Sequence, residues 1–166
     1  VHPCMVPEES AIASVGGVFN AVVAEGEYID KVVFEGRGAG EGPTASAVMG
    51  DVIDVARGNR LPTFSIAADS LRPIQSTTMD HHVGPYYVRL TVIDQPGVIA
   101  DISAILRDRN ISIGSMLQRG RDPGEPVPVV LITHECKEKA LTKAMEQISA
   151  LKAVAEKPKI IRIEAL

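Results

Sequence analysis

The chain has 166 residues, room for one ordinary domain or two small ones, and its 45% hydrophobic and 23% charged residues can bury a core and exclude a disordered polymer. A formal net charge of −4 argues against a nucleic-acid binder, which shows a basic patch or a basic pI. The longest apolar runs are too short to cross a bilayer, so no membrane partner is expected.

From the N-terminus, residues 7–15 read as a short helix with Glu8 and Glu9 in its first turn, where the helix dipole favours acid. Residues 18–24 and 28–35 read as two strands of a hairpin turning at Glu25-Gly26-Glu27. The stretch Gly36-Arg37-Gly38-Ala39-Gly40-Glu41-Gly42 then opens a helix over 43–57, with Pro43 in the first turn and Ala45, Val48, Val52 and Val55 on one side. Residues 58–84, with Pro62, Pro73 and many Ser, Thr and Asp, lack periodicity and read as a linker packed in part through Leu61, Phe64 and Ile66. The first 82 residues carry 5 basic and 11 acidic side chains, the remainder 12 and 10. The two parts therefore differ in kind.

The second part is a run of regular elements. Tyr86, Val88, Leu90 and Val92 alternate with Tyr87, Arg89 and Thr91 in a half-buried strand over 86–94. After Pro96-Gly97 a helix places Val98, Ile102, Ile105 and Leu106 on one stripe and stops at Asn110. Residues 111–118 are a second strand, and 127–134 a third, apolar on both faces and therefore central. Residues 137–151 form a helix burying Leu141, Met145, Ile148 and Leu151, and Ile160, Ile161 and Ile163 close the chain as a fourth strand. The order β-α-β-β-α-β is the ferredoxin-like arrangement, an antiparallel sheet with both helices on one face.

Few residues carry obvious chemistry. Gly38-Ala39-Gly40 before a helix lets backbone N–H groups approach an anion, but it follows a hairpin and lacks the dinucleotide fingerprint, so both a structural turn and a cofactor contact stay open. Asp94-Gln95-Pro96-Gly97-Val98 could hold the ammonium and carboxylate of a free amino acid, or Asp94 could simply cap the helix. His81 and His82 read as solvated, and neither His134 with Cys136 nor His2 with Cys4 has an evident third metal ligand. The two cysteines make no disulfide framework, which points to a reducing, cytoplasmic setting. The start at Val1-His2-Pro3 reads like the inside of a longer protein.

Phe34 to Val48, with its Gly-Ala-Gly-Glu-Gly-Pro-Thr-Ala-Ser-Ala block, together with Val18-Phe19-Asn20-Ala21 and Val52-Ile53-Asp54-Val55-Ala56-Arg57, resembles the end of the catalytic region of homoserine dehydrogenase. Asp94-Gln95-Pro96-Gly97-Val98-Ile99 and Asn110-Ile111-Ser112-Ile113 resemble an ACT domain, the amino-acid-sensing module that bacterial members carry at their carboxyl end. The resemblance implies a mixed α/β and α+β chain: a piece of the catalytic and dimerisation region over 1–60, a linker over 61–84, and a ferredoxin-like ACT regulatory domain over 85–166. It implies an oxidoreductase that reduces aspartate semialdehyde to homoserine with NADP or NAD as cofactor, in threonine, methionine and isoleucine biosynthesis.

On that resemblance Gly40 contacts the nicotinamide cofactor, Gly38 shapes the loop and Thr44 lines the same pocket. Asp94, Gly97, Val98 and Ile99 form the effector loop, and Ser112, Ile113 and Ser115 lie on the strand that faces it from a second copy. The effector is expected to be threonine, in a homo-oligomer formed through the ACT and sheet regions. The family's Rossmann half, its lysine-and-aspartate catalytic motif and its monovalent-cation loop have no counterpart here. No catalytic residue or metal ligand is therefore assigned, and the fragment alone is expected to be inert. A stand-alone amino-acid-binding regulator is the alternative.

Overall fold

The structure is a computed structural model that describes residues 1–59, 65–120 and 122–164. In chain order its elements are β1 (Cys4–Met5), β2 (Phe19–Gly26), β3 (Asp30–Arg37), α1 (Glu41–Ala56), β4 (Val83–Gly84), β5 (Tyr86–Ile93), α2 (Val98–Asp108), β6 (Ile113–Gln118), β7 (Pro126–Thr133), β8 (Cys136–Lys137), α3 (Glu138–Ser149) and β9 (Lys159–Ile163). Short 3₁₀ turns lie at Ala11–Ser14, Ala68–Ser70 and Met79–His81. The chain divides into two compact units, one of Val1–Pro7 with Thr77–Leu166 and the other of Glu8–Ser76.

The larger unit is a five-stranded sheet of order β1-β9-β5-β7-β6. Period-two alternation sends Tyr86, Val88, Leu90 and Val92 of β5, and Val127, Val129 and Leu131 of β7, to one face. There they meet Val98, Ile102 and Leu106 of α2 and Leu141, Ala144, Met145 and Ile148 of α3, and all of these side chains are buried. The four strands and two helices expected over 86–163 thus form in the expected order, and β7 pairs on both sides. Asn110 ends α2 in the left-handed conformation, with φ 55°, and the Ile111 amide reaches back to the Leu106 carbonyl at 2.9 Å. β6 starts two residues later than expected, at Ile113, and carries a bulge between Ile113 and Ser115.

Two features were not expected from the sequence. The N-terminal β1 runs parallel to β9, with Cys4 opposite Arg162 and Met5 opposite Ile163. Residues 1–7 thus belong to the same compact unit as residues 77–166, whereas the expected boundary grouped them with 8–60. Within the expected linker, β4 pairs antiparallel with β8, Val83 opposite Lys137 and Gly84 opposite Cys136.

The smaller unit holds the antiparallel β2–β3 hairpin and α1. The hairpin turns later than expected, through the three residues 27–29, with Asp30 at φ 58°. A three-residue loop needs such a left-handed residue at its close. The expected helix over 7–15 shrinks to the 3₁₀ turn Ala11–Ser14, because Gly16-Gly17, with Gly17 at φ 63°, follows at once. α1 forms close to the expected span, but every one of its residues is exposed, Val55 to 74%. Phe34 on the hairpin is 63% exposed, and none of the described residues of this unit is buried. Of the linker residues expected to pack, Ile66 is half exposed, while Leu61 and Phe64 lie outside the described residues.

Candidate functional site

The first candidate is the turn that opens α1. Gly40 precedes the helix at φ 123° and ψ 151°, a conformation essentially closed to side-chain-bearing residues, and its carbonyl accepts the Thr44 amide at 3.1 Å. Gly38 is constrained for a different reason. A Cβ there would sit 1.9 Å from Nδ2 of Asn20, which β2 places across the turn. Gly38 and Thr44 line a shallow cavity of about 260 Å³ with Ala39, Pro43 and Ala47, and Arg37 stands at its edge. Gly40 shapes this turn without lining it. The first turn of α1 presents free N–H groups, so the place suits a phosphate or the edge of an amide ring.

The second candidate is the loop between β5 and α2. Asp94 does not cap α2. Its carboxylate accepts the Asp122 amide at 2.9 Å, its own amide reaches the Glu125 carbonyl at 2.9 Å, and its carbonyl accepts the Gly124 amide at 3.0 Å. Gly97 stands before the helix at φ 96°, and no side chain caps the first turn. The N-terminus of α2 is exposed at Gly97, and among the described residues one Asp94 carboxylate oxygen makes no hydrogen bond, an arrangement that suits an amino-acid zwitterion. Val98 is buried and Ile99 packs against the core, so both support the loop from below.

Ser112, Ile113 and Ser115 lie elsewhere in the same chain. Ser115 is opposite Ile132, which is opposite Tyr87, whereas Asp94 follows Ile93 six positions further along β5. At about 3.3 Å per residue the two groups stand roughly 20 Å apart, at opposite ends of the sheet. β6 is an edge strand, and Ser112 and Ser115 are exposed. The single chain does not bring the two halves of the expected effector site together.

A third group was missed in the sequence. His82, expected to be solvated, is mostly buried, with Nδ1 at 2.8 Å from the Tyr86 hydroxyl and Nε2 at 3.2 Å from Oε1 of Glu164. The Tyr86 hydroxyl also stands 3.4 Å from Oε2 of Glu138. Glu138 is held by a two-pronged ion pair with Arg162, Nε donating at 2.6 Å. His2 lies 3.7 Å from the same oxygen of Glu164. Hydrogen bonding from Arg162 pulls the Glu138 carboxyl below the usual glutamate range, and burial pushes the Tyr86 phenol well above its ordinary value. Nothing in the spacing of His82, Glu138 and Glu164 announces this cluster, because the sheet register alone assembles it. Burial raises the Cys136 thiol pKa, opposed by the hydrogen bond with Thr133, while His134 is exposed, so the two do not act together.

The fold and these sites define a class: a ferredoxin-like α+β module joined to an α/β piece in which no described residue is buried. Sequence comparison makes this particular. Residues 1–53 match the homoserine dehydrogenase family, and residues 86–153 match the ACT domain. The chain is 35% identical over its whole length to the homoserine dehydrogenase of Pseudomonas aeruginosa, and 37% identical over 98% of its length to that of Synechocystis. It covers 40% and 39% of those proteins, so it spans about two fifths of the curated relatives it matches. Among solved structures, a homoserine dehydrogenase from Thiobacillus denitrificans superposes with a TM-score of 0.88 at 39% identity, over 99% of this chain and 38% of that one. The Staphylococcus aureus homoserine dehydrogenase, at 20% identity and a TM-score of 0.54, covers 97% of this chain and 36% of its own, and shares the fold. The chain corresponds along its length to the C-terminal region of homoserine dehydrogenases, ending in an ACT domain.

Proposed function

We propose that this chain is the regulatory and cofactor-closing end of an NAD(P)-dependent homoserine dehydrogenase, which reduces aspartate semialdehyde to homoserine. The observation that carries the reading is the likeness over 99% of the chain, at 39% identity, to a solved homoserine dehydrogenase. In this reading the turn at Gly38 and Gly40 supplies one wall of the nicotinamide pocket, with backbone N–H groups and Thr44 as polar contacts. The cofactor supplies the hydride. This chain's part is to position it and to exclude water. No proton donor for the substrate carbonyl is assigned within it. The exposed apolar residues of α1 fit a helix covered by other parts of a larger enzyme. A cytoplasmic location follows from that metabolic role.

The ACT unit is read as the sensor of an amino acid, threonine first among the candidates. Sheet register supports a paired arrangement. β6 runs in the same direction as β5, so a second β6 laid antiparallel against its free edge brings Ser112, Ile113 and Ser115 of one copy to the sheet end that carries Asp94, Gly97 and Ile99 of the other. Two copies thus complete two equivalent sites. The test is a pair of measurements on the 166-residue chain. Isothermal calorimetry is expected to show heat with L-threonine, and an NADPH assay with aspartate semialdehyde is expected to show no turnover. No heat with threonine, isoleucine or methionine would remove the sensor reading, and turnover would remove the assignment of the reactive groups to other parts of the enzyme.

A further inference from the structure

One transverse row crosses every strand of the sheet. Ile113 on β6 is opposite Thr133 on β7, whose Oγ1 accepts the Tyr86 amide at 3.0 Å. Tyr86 on β5 is opposite Arg162 on β9, and Arg162 is opposite Cys4 on β1. The row begins at the edge read above as the effector edge. It ends at the strand from which the chain runs on, through Pro7, into residues 8–76. The chain returns from that unit through Thr77 to His82, and His82 closes the same corner.

At the middle of this row sits a group with two alternatives. Burial keeps the Tyr86 hydroxyl protonated, so it has one proton to give and two acceptors, Nδ1 of His82 at 2.8 Å and Oε2 of Glu138 at 3.4 Å. When it donates to His82, the imidazole carries its proton on Nε2 and donates to Glu164, which binds His82 to the end of β9. When it donates to Glu138, its oxygen can only accept from His82, so a neutral imidazole carries its proton on Nδ1, has none on Nε2 for Glu164, and the corner loosens. Glu138 is already satisfied by Arg162, so the first arrangement leaves no carboxylate unpaired. Two alternative hydrogen-bonding states of one hydroxyl are what a coupling element needs.

We propose that the Tyr86 hydroxyl is a two-position switch that couples the β6 edge to both connections between the ACT unit and residues 8–76. The inference rests on the reading of β6 as the effector edge and adds the route by which occupancy leaves it. A shift of β6 moves Thr133, Thr133 moves the Tyr86 backbone, and a small rotation of the phenol exchanges one acceptor for the other. His82, Glu164 and His2 then hold or release β1 and the segment that enters β4.

Amide hydrogen exchange on the 166-residue chain tests this. Two amides report on the corner: Glu164, bonded to the Met5 carbonyl, and Glu138, bonded to the His82 carbonyl, both at 2.9 Å. Ile93 and Asp94, bonded to Ala153 and Glu125, report on the far end. Tyr86→Phe removes only the hydroxyl. It is expected to speed exchange at Glu164 and Glu138 roughly fivefold, the loss of one hydrogen bond, with Ile93 and Asp94 unchanged. Thr133→Val is expected to act on the same two amides, and to have no further effect in the Tyr86→Phe background, while Thr133→Ser behaves as wild type. Independent, additive effects would overturn the proposal, as would unchanged exchange at Glu164 and Glu138 in Tyr86→Phe. If Thr133→Val does not fold, the Tyr86→Phe reading decides. An L-threonine arm separates the two claims. Absence of any heat of binding refutes the sensor reading while the mutant cycle still judges the switch. Binding that alters Glu164 exchange in wild type but not in Tyr86→Phe supports both.

Discussion

The carboxylate of Asp94 accepts the backbone amide of Asp122 at 2.9 Å, across 28 residues of sequence. With the two backbone bonds to Gly124 and Glu125, it pegs the 122–125 turn to the end of β5. Asp94→Ala is expected to free that turn and lower the stability of the ACT unit by about 1 kcal/mol, read from thermal unfolding. Asp94→Asn keeps an acceptor oxygen for Asp122 but not the charge. It is expected to unfold like wild type and to lose most of the calorimetric response to L-threonine. A variant that binds normally would show that the carboxylate serves the turn alone.

The ACT fold is legible in the sequence because its alternation is strict. Tyr86, Val88, Leu90 and Val92 declare a strand and its inner face, and Val98, Ile102 and Leu106 declare a helix stripe. β1 is not legible, since Cys4-Met5 is two residues long and owes its pairing wholly to β9. The role of Asp94 was half visible. Its place before a helix suggested a cap, but the register that brings Asp122 beside it is tertiary. His82 reads as solvated for the same reason, because its partners Glu138 and Glu164 lie 56 and 82 residues away. α1 is legible as a helix, yet its apolar residues stay exposed among the described residues of 8–76. Periodicity reports what a helix needs and is silent on who supplies it.

Gly40 and Gly38 are constrained differently, and substitution separates them. Gly40→Ala must hold φ near 123°, which costs about 1–3 kcal/mol locally. The expected outcome is faster exchange of the Thr44 amide, bonded to the Gly40 carbonyl, and fraying of the first turn of α1. Gly38→Ala collides only with the Asn20 side chain, which can swing away. It is expected to be milder, and Asn20→Ala in the same chain is expected to relieve it.

The Glu138–Arg162 pair sets an acid limit on the ACT unit. Hydrogen bonding from Arg162 depresses the folded-state pKa of Glu138, so the pair's contribution is complete above the ordinary glutamate pKa of about 4.3 and is lost as pH falls through the lower folded value. Urea midpoints measured from pH 7 down to pH 3 are therefore expected to fall below about pH 4. Glu138→Gln is expected to be less stable at pH 7 and to show a flatter acid limb. An unchanged limb in that variant would place the acid sensitivity in other carboxylates.

The two units are expected to respond oppositely to truncation of apolar side chains. Leu90 is fully buried, and Leu90→Ala is expected to cost the ACT unit about 2–5 kcal/mol. Val52 on α1 is 52% exposed, and Val52→Ala is expected to shift the urea midpoint of this chain by less than about 0.5 kcal/mol. Circular dichroism during urea unfolding reads both. A large effect at Val52 would mean that α1 is packed in solution and that residues 8–76 form a core.

Pairing through β6 makes the final prediction. Among the described residues its outer edge is unpaired, and Leu117, near its end, is 48% exposed on the sheet face opposite the helices. A charged side chain on such an edge blocks strand addition, because pairing would desolvate it beside its symmetry mate. Leu117→Lys is expected to turn a dimer into a monomer in sedimentation equilibrium and to leave the unfolding transition of the ACT unit nearly unchanged. The same substitution is expected to abolish the heat of L-threonine binding, since Ser112 and Ser115 of one copy then no longer reach Asp94 of the other. A monomeric variant that still binds threonine would show that one chain holds the effector alone, and would remove the two-copy site while leaving the fold intact.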